Sequence, residues 1–209
     1  MNKFSVLLFG IFTAFFASWG VFVGYSSIVL GRLQPLPDEE TRGYFPPSLS
    51  GLAISGQKSY AANGCLYCHS QQVRPPSLST DVKKGLGPRS TVARDFLRSQ
   101  PAFPGTMRTG PDLANVGLRQ LDPNWHHRHL YDPRSVTDWS IMPSFRYLYI
   151  LRRIEGHSSE EAVQGLKGPH APPPGFEVIP TSEAKALVAY LVSLKKNYPL
   201  PEASISTGK

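Results

Sequence analysis

The chain contains 209 residues, including two cysteines, and carries a formal net charge of +7 at pH 7. This length is enough for one domain with a single hydrophobic core, beside short terminal segments. No nucleic-acid recognition motif accompanies the positive charge, which argues against DNA or RNA as a partner.

The N-terminal run from Phe4 to Leu30 contains no charged residue and is bounded by Lys3 and Arg32. As an α-helix it would extend ~40 Å at ~1.5 Å per residue, more than the ~30 Å hydrocarbon core of a bilayer. A cleavable signal peptide is the alternative, but its apolar core should be shorter, at about 7 to 15 residues. We therefore expect residues 1–33 to form an uncleaved, single transmembrane anchor.

Two glycines in this run, Gly20 and Gly24, form a G-x-x-x-G pattern. Small residues at this spacing let a second membrane helix approach closely, so the pattern predicts packing against a partner subunit. Lys3 is the only charged residue before the run. The positive-inside rule then favours a cytoplasmic N-terminus, with the remaining chain on the other side of the membrane.

Three further segments follow the anchor. Residues 34–50 are rich in proline and polar residues, which predicts an extended linker. Residues 51–199, about 150 positions, form the predicted domain, and residues 200–209 form a short polar tail. The 20 prolines of the chain predict long irregular stretches between few helices.

Both cysteines fall in one C-x-x-C-H run, with Cys65, Cys68 and His69 at its defining positions. The two thiols lie on one helical turn and can each add to a vinyl group of one haem, while the adjacent imidazole reaches the iron. The run therefore predicts one covalently attached haem c. Haem attachment to paired thiols belongs to the oxidising side of a bacterial membrane, which agrees with the orientation predicted for the anchor.

Two other interpretations of the cysteine pair remain open. A redox-active disulfide of the thioredoxin type requires a surrounding βαβ pattern, whereas this sequence is punctuated by Pro and Gly. A structural zinc site would need two more ligands, which His126, His127 and His129 could supply. On a predicted helix beside Trp125, however, these histidines are more often structural.

Three helices are predicted in the domain. The first runs from about Ser55 into the haem motif, and a short helix covers the region from about Arg119 to Leu130. The last begins after Pro180, with Thr181 or Ser182 as its N-cap. Its apolar stripe consists of Ala184, Leu187, Val188, Leu191 and Leu194. Terminal helices that pack beside a haem are expected of a class I cytochrome c, so the predicted fold is mainly α with long loops.

The sixth coordination position of the iron separates electron transfer from ligand chemistry. A thioether ligand raises the reduction potential and blocks small molecules, which suits an electron carrier. Met142 is followed by Pro143, a rigid residue that can hold the next segment away from the iron, so Met142 is the predicted distal ligand. Met107 is the alternative ligand, and filling gaps in the core is the other role open to either methionine.

Several segments occur in the order of one known family: Gly64–Pro75, Arg108–Leu113, Trp125-His126, His129-Leu130, Pro133-Arg134 and Met142-Pro143. On these segments and the anchor, the chain resembles the monohaem cytochrome c subunit (subunit II, FixO/CcoO-like) of cbb(3)-type cytochrome c oxidases, the C family of haem-copper oxidases. In that family His69 would be the proximal ligand and Met142 the distal one. The chain departs from the family pattern at Gln72, at residues 79–107 and in the loop 165–180.

The resemblance implies a single-pass protein of the bacterial inner membrane, with a cytoplasmic N-terminus and a periplasmic haem domain. It would not be an enzyme by itself. It would pass single electrons to a haem-copper catalytic subunit, and receive them from a further cytochrome c subunit or a soluble cytochrome c. The alternatives are the cytochrome c subunit of a nitric oxide reductase, a haem-based peroxidase or gas-binding protein with an open iron site, and a purely structural anchor.

Three further residues are predicted to contact the haem or its ligand. In cytochromes c, the proline carbonyl of a Thr-Gly-Pro turn accepts the free N–H of the ligating imidazole, which points to Pro111. Haem propionates must be paired or solvated, and Arg74 or Arg108 could bind them bidentately. A solvated surface arginine is the alternative for both.

Positive charge is concentrated in residues 71–153, which contain thirteen Lys and Arg residues against six Asp residues. This cationic region could steer an acidic redox partner or face anionic lipid headgroups. It could also offset the propionates and the acids of a neighbouring subunit.

Overall fold

A computed structural model of the chain describes residues 3–40 and 42–205. The first two residues of the predicted anchor, position 41 of the predicted linker and residues 206–209 of the predicted tail lie outside the described residues.

The N-terminal helix α1 spans Phe4–Leu30, and it is long and apolar enough to cross a membrane. Its segments are α-helical at Phe4–Trp19 and Ser26–Leu30, with π-helical turns at Gly20–Tyr25 between them. None of these described residues is buried against the rest of the chain. Both length and exposure agree with the predicted anchor, and both glycines of the G-x-x-x-G pattern fall in the π-helical turns.

The segment after α1 folds back on the domain. Strand β1 (Leu36–Pro37) pairs antiparallel with β2 (Tyr44–Phe45). The ring of Phe45 stacks on Tyr198 with centroids 4.8 Å apart. The guanidinium of Arg94 donates to the carbonyl of Gln34. Aromatic stacking and side-chain hydrogen bonds therefore hold parts of the predicted linker, residues 34–50, against the domain.

Helix α2 spans Gly51–Ala62 and begins four residues before the predicted start at Ser55. The reason is an N-cap at Ser50, whose hydroxyl accepts a hydrogen bond from the backbone N–H of Ala53 at 3.2 Å. The helix also ends before the haem motif. Gly64 adopts a left-handed conformation with φ of 71°, which stops the helix and directs the chain into a 3₁₀ turn at Cys65–Tyr67.

Helix α5 spans Ser182–Ser193 and begins after Pro180, as predicted. Its N-cap is Thr181, whose hydroxyl accepts from the N–H of Ala184 at 3.3 Å. It packs across α2 at Gly56, where a Cβ atom would collide with the carbonyl of Ala186. This crossing is the centre of the core. Its buried side chains include Tyr60, Leu148, Val178, Leu187, Val188 and Tyr190.

The predicted helix at 119–130 is two helices, α3 (Val116–Arg119) and α4 (Pro123–Tyr131). Asp122 caps α4 by accepting from the N–H of Asn124 at 2.9 Å, and Pro123 suits the first helical position. The prediction of one continuous helix is wrong here, because a new cap interrupts it.

The sequence did not predict a second pair of strands. Strand β3 (Tyr149–Arg153) pairs antiparallel with β4 (Phe176–Pro180), in the register Tyr149↔Pro180 to Arg153↔Phe176. The strand β4 occupies part of the loop 165–180 and leads directly into α5. Further 3₁₀ turns lie at Ala93–Phe96, Pro133–Ser135 and Arg146–Leu148. Most of the regular structure in the domain is nevertheless helical.

Candidate functional site

A cavity of about 480 Å³ lies between helices α2 to α5 and the segment 137–143. Its walls are mainly apolar, as a large flat apolar ligand requires. The apolar residues that line it include Tyr60, Leu113, Val116, Leu130, Leu187 and Leu191. The stripe predicted on the last helix therefore supplies part of this wall as well as part of the core.

Both cysteines line this cavity. The 3₁₀ turn places them close together, with the N–H groups of Cys68 and His69 donating to the carbonyl of Cys65 at 3.2 and 3.0 Å. Cys65 is half-buried and Cys68 exposed, and both carry free thiols. The turn thus presents two thiols and one imidazole to the same space.

The environment of Cys65 does not suit redox exchange. Burial raises the pKa of the Cys65 thiol to about 11, so that it is protonated at neutral pH. An attacking cysteine of the thioredoxin type needs a lowered pKa, because the thiolate is the nucleophile. Cys65 therefore lacks the lowered thiol pKa that the redox-active interpretation would require of it.

The imidazole of His69 is oriented by the turn that follows Arg108. Its Nδ1 atom lies 2.7 Å from the carbonyl oxygen of Pro111. Because a carbonyl can only accept, Nδ1 carries the proton and Nε2 keeps a free lone pair. Burial lowers the pKa of His69, which also favours the neutral ring that a metal requires. The two residues meet as the sequence predicted.

Backbone hydrogen bonds fix this turn against the haem motif. Gly110 N–H donates to the carbonyl of Cys68 at 2.9 Å, and Leu113 N–H donates to the carbonyl of Ser70 at 2.8 Å. The fully buried carboxylate of Asp112 accepts from the hydroxyl of Ser70 at 2.6 Å and from the backbone N–H of Ala114 at 2.8 Å. These bonds leave the imidazole little freedom to rotate.

The two candidate thioethers differ in position. Met142 is half-buried, packs against the core and lines the cavity. Met107 is 59% exposed and does not line it. The structure thus brings Met142 to the same cavity as the cysteines and His69, whereas Met107 lies outside.

Neither arginine predicted to hold propionates lines the cavity. Arg108 instead forms a bidentate pair with Asp81, with both N–O distances at 2.7 Å, and donates to Ser70 and to the carbonyl of Gln72. Its guanidinium is largely engaged within the chain, because the carboxylate of Asp81 is only 4% exposed and needs a charged partner. Arg74 is half-buried and contributes its backbone N–H to the same carboxylate.

The cavity wall includes one cation that the sequence did not single out, Arg119. It is the last residue of α3, and its guanidinium donates to the carbonyls of Asp112 and Leu86. No motif marks this arginine in the sequence. The only available signal was its place at the predicted start of the third helix.

The three histidines of α4 have separate environments. His126 is buried and its Nε2 lies 2.9 Å from the carbonyl of Gln120, whereas Nδ1 of His127 lies 3.1 Å from the hydroxyl of Tyr149. His129 stacks on Trp125 with centroids 4.9 Å apart, and burial lowers its pKa to about 4. Within the described residues no group of three or more His, Cys, Asp or Glu side chains is arranged to hold a metal ion. The zinc interpretation therefore has no geometric support.

The donors around the cavity fit an iron porphyrin. Two thiols can form thioether links, a neutral imidazole and a thioether are ligands used for haem iron, and the walls are apolar. The absence of a side chain at Gly110 also leaves space for the ring of His69, because a Cβ atom there would overlap with it. No other cofactor class is needed to account for this set of side chains.

A comparison with models of protein families found a match. A family model described as "Cytochrome C oxidase, mono-heme subunit/FixO" matches residues 39–172. The match includes the C-x-x-C-H run, the turn at Pro111 and Met142. A search of the curated proteins found no match.

Proposed function

The chain belongs to the FixO family of mono-haem subunits of cytochrome c oxidase, and we propose that it carries one covalent haem c and passes single electrons to the catalytic subunit of a cbb(3)-type oxidase. The observation that carries the proposal is the convergence of Cys65, Cys68, His69 and Met142 on one apolar cavity. The chain is an electron-transfer subunit, and oxygen chemistry belongs to the assembly.

When bound, the haem iron supplies reversible one-electron transfer between its ferric and ferrous forms. Cys65 and Cys68 would tether the porphyrin through thioether links, and His69 and Met142 would hold its iron. A thioether beside an imidazole favours the reduced form and keeps small molecules from the metal. This ligand pair distinguishes a carrier from a peroxidase or a gas-binding protein, in which one position stays open.

The protein's own residues keep the site ready for electron transfer. The carbonyl oxygen of Pro111 accepts a hydrogen bond from His69 Nδ1–H, which fixes the tautomer and leaves the Nε2 lone pair free for a metal. Gly110 leaves space for the imidazole ring. These contacts would hold the imidazole of His69 in one orientation toward a bound haem.

We place the protein in the bacterial inner membrane, with helix α1 as its anchor, a cytoplasmic N-terminus and the haem domain in the periplasm. The support is the apolar length of α1, together with the single Lys3 before it. The proposed partners are the haem-copper catalytic subunit and a further cytochrome c that donates electrons. The division into anchor, linker, haem domain and tail belongs to the same proposal.

The test is the mass and the spectrum of the mature full-length chain. The chain should carry the added mass of one haem, stain for haem after denaturing electrophoresis and co-purify with a copper-containing subunit. The double variant Cys65→Ala/Cys68→Ala, which removes both thiols, should abolish covalent attachment. A wild-type chain without added mass would overturn the proposal.

The ligand assignment is tested separately with Met142→Ala. The substitution should lower the reduction potential and change the visible spectrum, because a ligand is lost. Met107→Ala is the matched control and should leave both unchanged. An unchanged spectrum in Met142→Ala would favour the open-site alternative, and co-purification without copper would favour the nitric oxide reductase alternative.

A further inference from the structure

Strand β3 (Tyr149–Arg153) is an edge strand with one open side. It pairs with β4 in a sheet of two strands. The far side of β4 is occupied, because the N–H of Val163 donates to the carbonyl of Val178 at 2.9 Å. Among the residues that the structure describes, no further strand pairs with the far side of β3. The sheet therefore ends at β3.

The backbone groups of β3 alternate between its two sides. In an antiparallel pair, residues that are hydrogen-bonded to the partner strand alternate with residues whose N–H and C=O groups point away from it. The N–H of Thr181 donates to the carbonyl of Leu148 at 3.0 Å. At the other end, the N–H of Ile154 donates to the carbonyl of Gly175 at 2.9 Å. The even-numbered residues of β3 thus bond to β4, and the odd-numbered ones, with Leu151 at their centre, direct their backbone groups outward.

The side chains beside this open edge are apolar at its centre. Ile150 is 54% exposed and Leu151 is 53% exposed, although successive side chains of a strand lie on opposite faces. Both faces of β3 are therefore accessible, whereas β4 is buried from Glu177 to Pro180. An accessible edge with unpaired backbone groups and aliphatic side chains is a template for an added strand.

Arginines lie at both ends of the edge. Arg146 precedes β3 in a 3₁₀ turn, where its guanidinium lies 2.7 Å from Nδ1 of His170, and Arg153 is the last residue of β3. Both are exposed, and neither forms an ion pair with a carboxylate within residues 3–40 and 42–205. Glu155, the nearest acid along the chain, pairs with neither of them. Two uncompensated cations thus flank the apolar centre, which favours an occupant that carries carboxylates.

The position of the edge in the domain argues against lipid as its occupant. Strand β4 leads directly into the N-terminus of α5. The segment that follows the membrane anchor is stacked on Tyr198 instead, beyond the C-terminus of the same helix. The 12 residues of α5 separate its two ends by ~18 Å. The open edge therefore lies at the end of α5 that is away from the tie to the anchor.

A second copy of the chain is a poorer fit than an acidic partner. Pairing β3 with β3 of another molecule would gather two copies of Arg152 and two of Arg153 on one ribbon. Only Arg152 has a carboxylate partner, Glu177 at 2.8 Å. A strand of five residues also buries far less than the ~1,000 Å² that a stable interface needs by itself. As one contact within a larger assembly, such a strand needs no large area.

We propose that β3 receives an extended segment of another subunit of the oxidase, which adds a third strand to the sheet and carries aliphatic residues flanked by carboxylates. Hydrogen bonds to the outward backbone groups of β3 align the segment, and the arginines select an acidic sequence. The inference rests on the proposed function, which supplies the assembly. It goes beyond the family match, because β4 begins after residue 172, where the match ends.

The first experiment measures amide hydrogen exchange, resolved to single residues by fragmentation mass spectrometry. The haem-loaded full-length chain is compared alone in detergent and within the purified oxidase complex. The N–H groups of Leu151 and Arg153 should exchange at least about tenfold more slowly in the complex, because they become hydrogen-bonded there. Those of Ile150 and Arg152 bond to β4 and should be protected in both samples. Equal exchange of Leu151 in the two samples overturns the proposal.

Variants of Leu151 test whether the backbone makes the contact. Leu151→Pro removes an outward N–H and keeps the bonds to β4, since proline is accepted on the open side of an edge strand. In the complex it should return the N–H of Arg153 to the fast exchange of the isolated chain. Leu151→Ala, the matched control, keeps the N–H and should retain most of the protection. Protection of Arg153 that survives in Leu151→Pro contradicts strand addition.

Variants of Arg153 test the charge of the occupant. Arg153→Glu places an acid opposite the proposed carboxylates, so the N–H of Leu151 should lose protection in the complex. Arg153→Lys keeps the positive charge and should behave like wild type. Equal protection of Leu151 in the two variants overturns the acidic character of the segment.

Two further samples separate the possible occupants. Protection of Leu151 that rises with the concentration of the isolated chain would assign the edge to a second copy. Protection in phosphatidylglycerol liposomes that hold no other subunit would assign it to lipid. Either result overturns the proposal. A wild-type chain that does not co-purify with a copper-containing subunit contradicts the proposed function instead, so that the two failures are distinguishable.

Discussion

Gly110 lies directly against the imidazole of His69, so closely that a Cβ atom there would overlap with the ring. The absence of a side chain at Gly110 therefore allows the proposed ligand to occupy this position. We expect Gly110→Ala to displace the imidazole and to disturb iron ligation. The haem-loaded fraction should fall, and the visible spectrum of the remaining holoprotein should change.

Gly51→Ala is the control for this change. A Cβ atom at Gly51 meets nothing within 4 Å. Haem content and spectrum should then equal those of wild type. If Gly110→Ala behaved like the control, the imidazole would have to lie elsewhere in the holoprotein.

The crossing of α2 and α5 depends on Gly56. A methyl group there would meet the backbone carbonyl of Ala186, which no side-chain rotation can move away. We expect Gly56→Ala to destabilise the full-length chain by about 1–3 kcal/mol or more, the usual cost of overpacking. Denaturant unfolding monitored by circular dichroism measures the loss. Gly51→Ala, in the first turn of the same helix, should show no comparable loss, and equal midpoints would refute the close contact.

The pair of Arg89 and Asp95 is buried on both sides, with exposed side-chain fractions of 1% and 0%. Removing one partner leaves an uncompensated charge, which typically costs about 3–5 kcal/mol. We expect Arg89→Met to lower the free energy of unfolding by that amount. The double variant Arg89→Met/Asp95→Leu should recover much of it. A single variant as stable as wild type would contradict this.

The pair of Asp81 and Arg108 should make the free energy of unfolding depend on pH in the acid range. Hydrogen bonds from Arg108 hold the pKa of the Asp81 carboxyl well below its ordinary value. Because the folded pKa is the lower one, the stabilisation is present above about pH 4 and is lost as pH falls further. Asp81→Asn should therefore lose roughly 1.5–3 kcal/mol at pH 7, the contribution of hydrogen bonds to a charged group.

The measurement for Asp81 is the free energy of unfolding between neutral and acid pH. Below pH 4 the curve of Asp81→Asn should be flatter than that of wild type and should converge toward it. Asp138→Asn removes an exposed aspartate and should leave the wild-type curve intact. Parallel curves for wild type and Asp81→Asn would show that this carboxylate contributes no acid dependence.

Local features of the fold could be predicted from the sequence. The cap at Thr181 and the apolar stripe of α5 depend on residues a few positions apart, so periodicity and capping rules locate them. The meeting of His69 with Pro111 was predicted only through a family turn motif. The motif predicted this contact between residues 42 positions apart, which no local sequence pattern could predict.

Features set by distant partners could not be predicted. The role of Arg108 is decided by Asp81, 27 residues away, and neither residue type nor spacing marks the pair. The early end of α2 depends on a left-handed glycine immediately before the motif. Arg119 became a site candidate only when the cavity wall was known. The sequence alone does not show which residues line a cavity or which charged side chains have an ion-pair partner.

The bonded segment between α1 and the domain limits how the protein can move. Leu30 ends the membrane helix, and Gln34 is already bound by Arg94, so only about 14 Å of extended chain separates them. A second tie joins Ser48 to Arg98 before α2 begins. In the proposed membrane orientation, these two contacts would keep the domain close to the lipid surface, because little free chain is left between α1 and the domain.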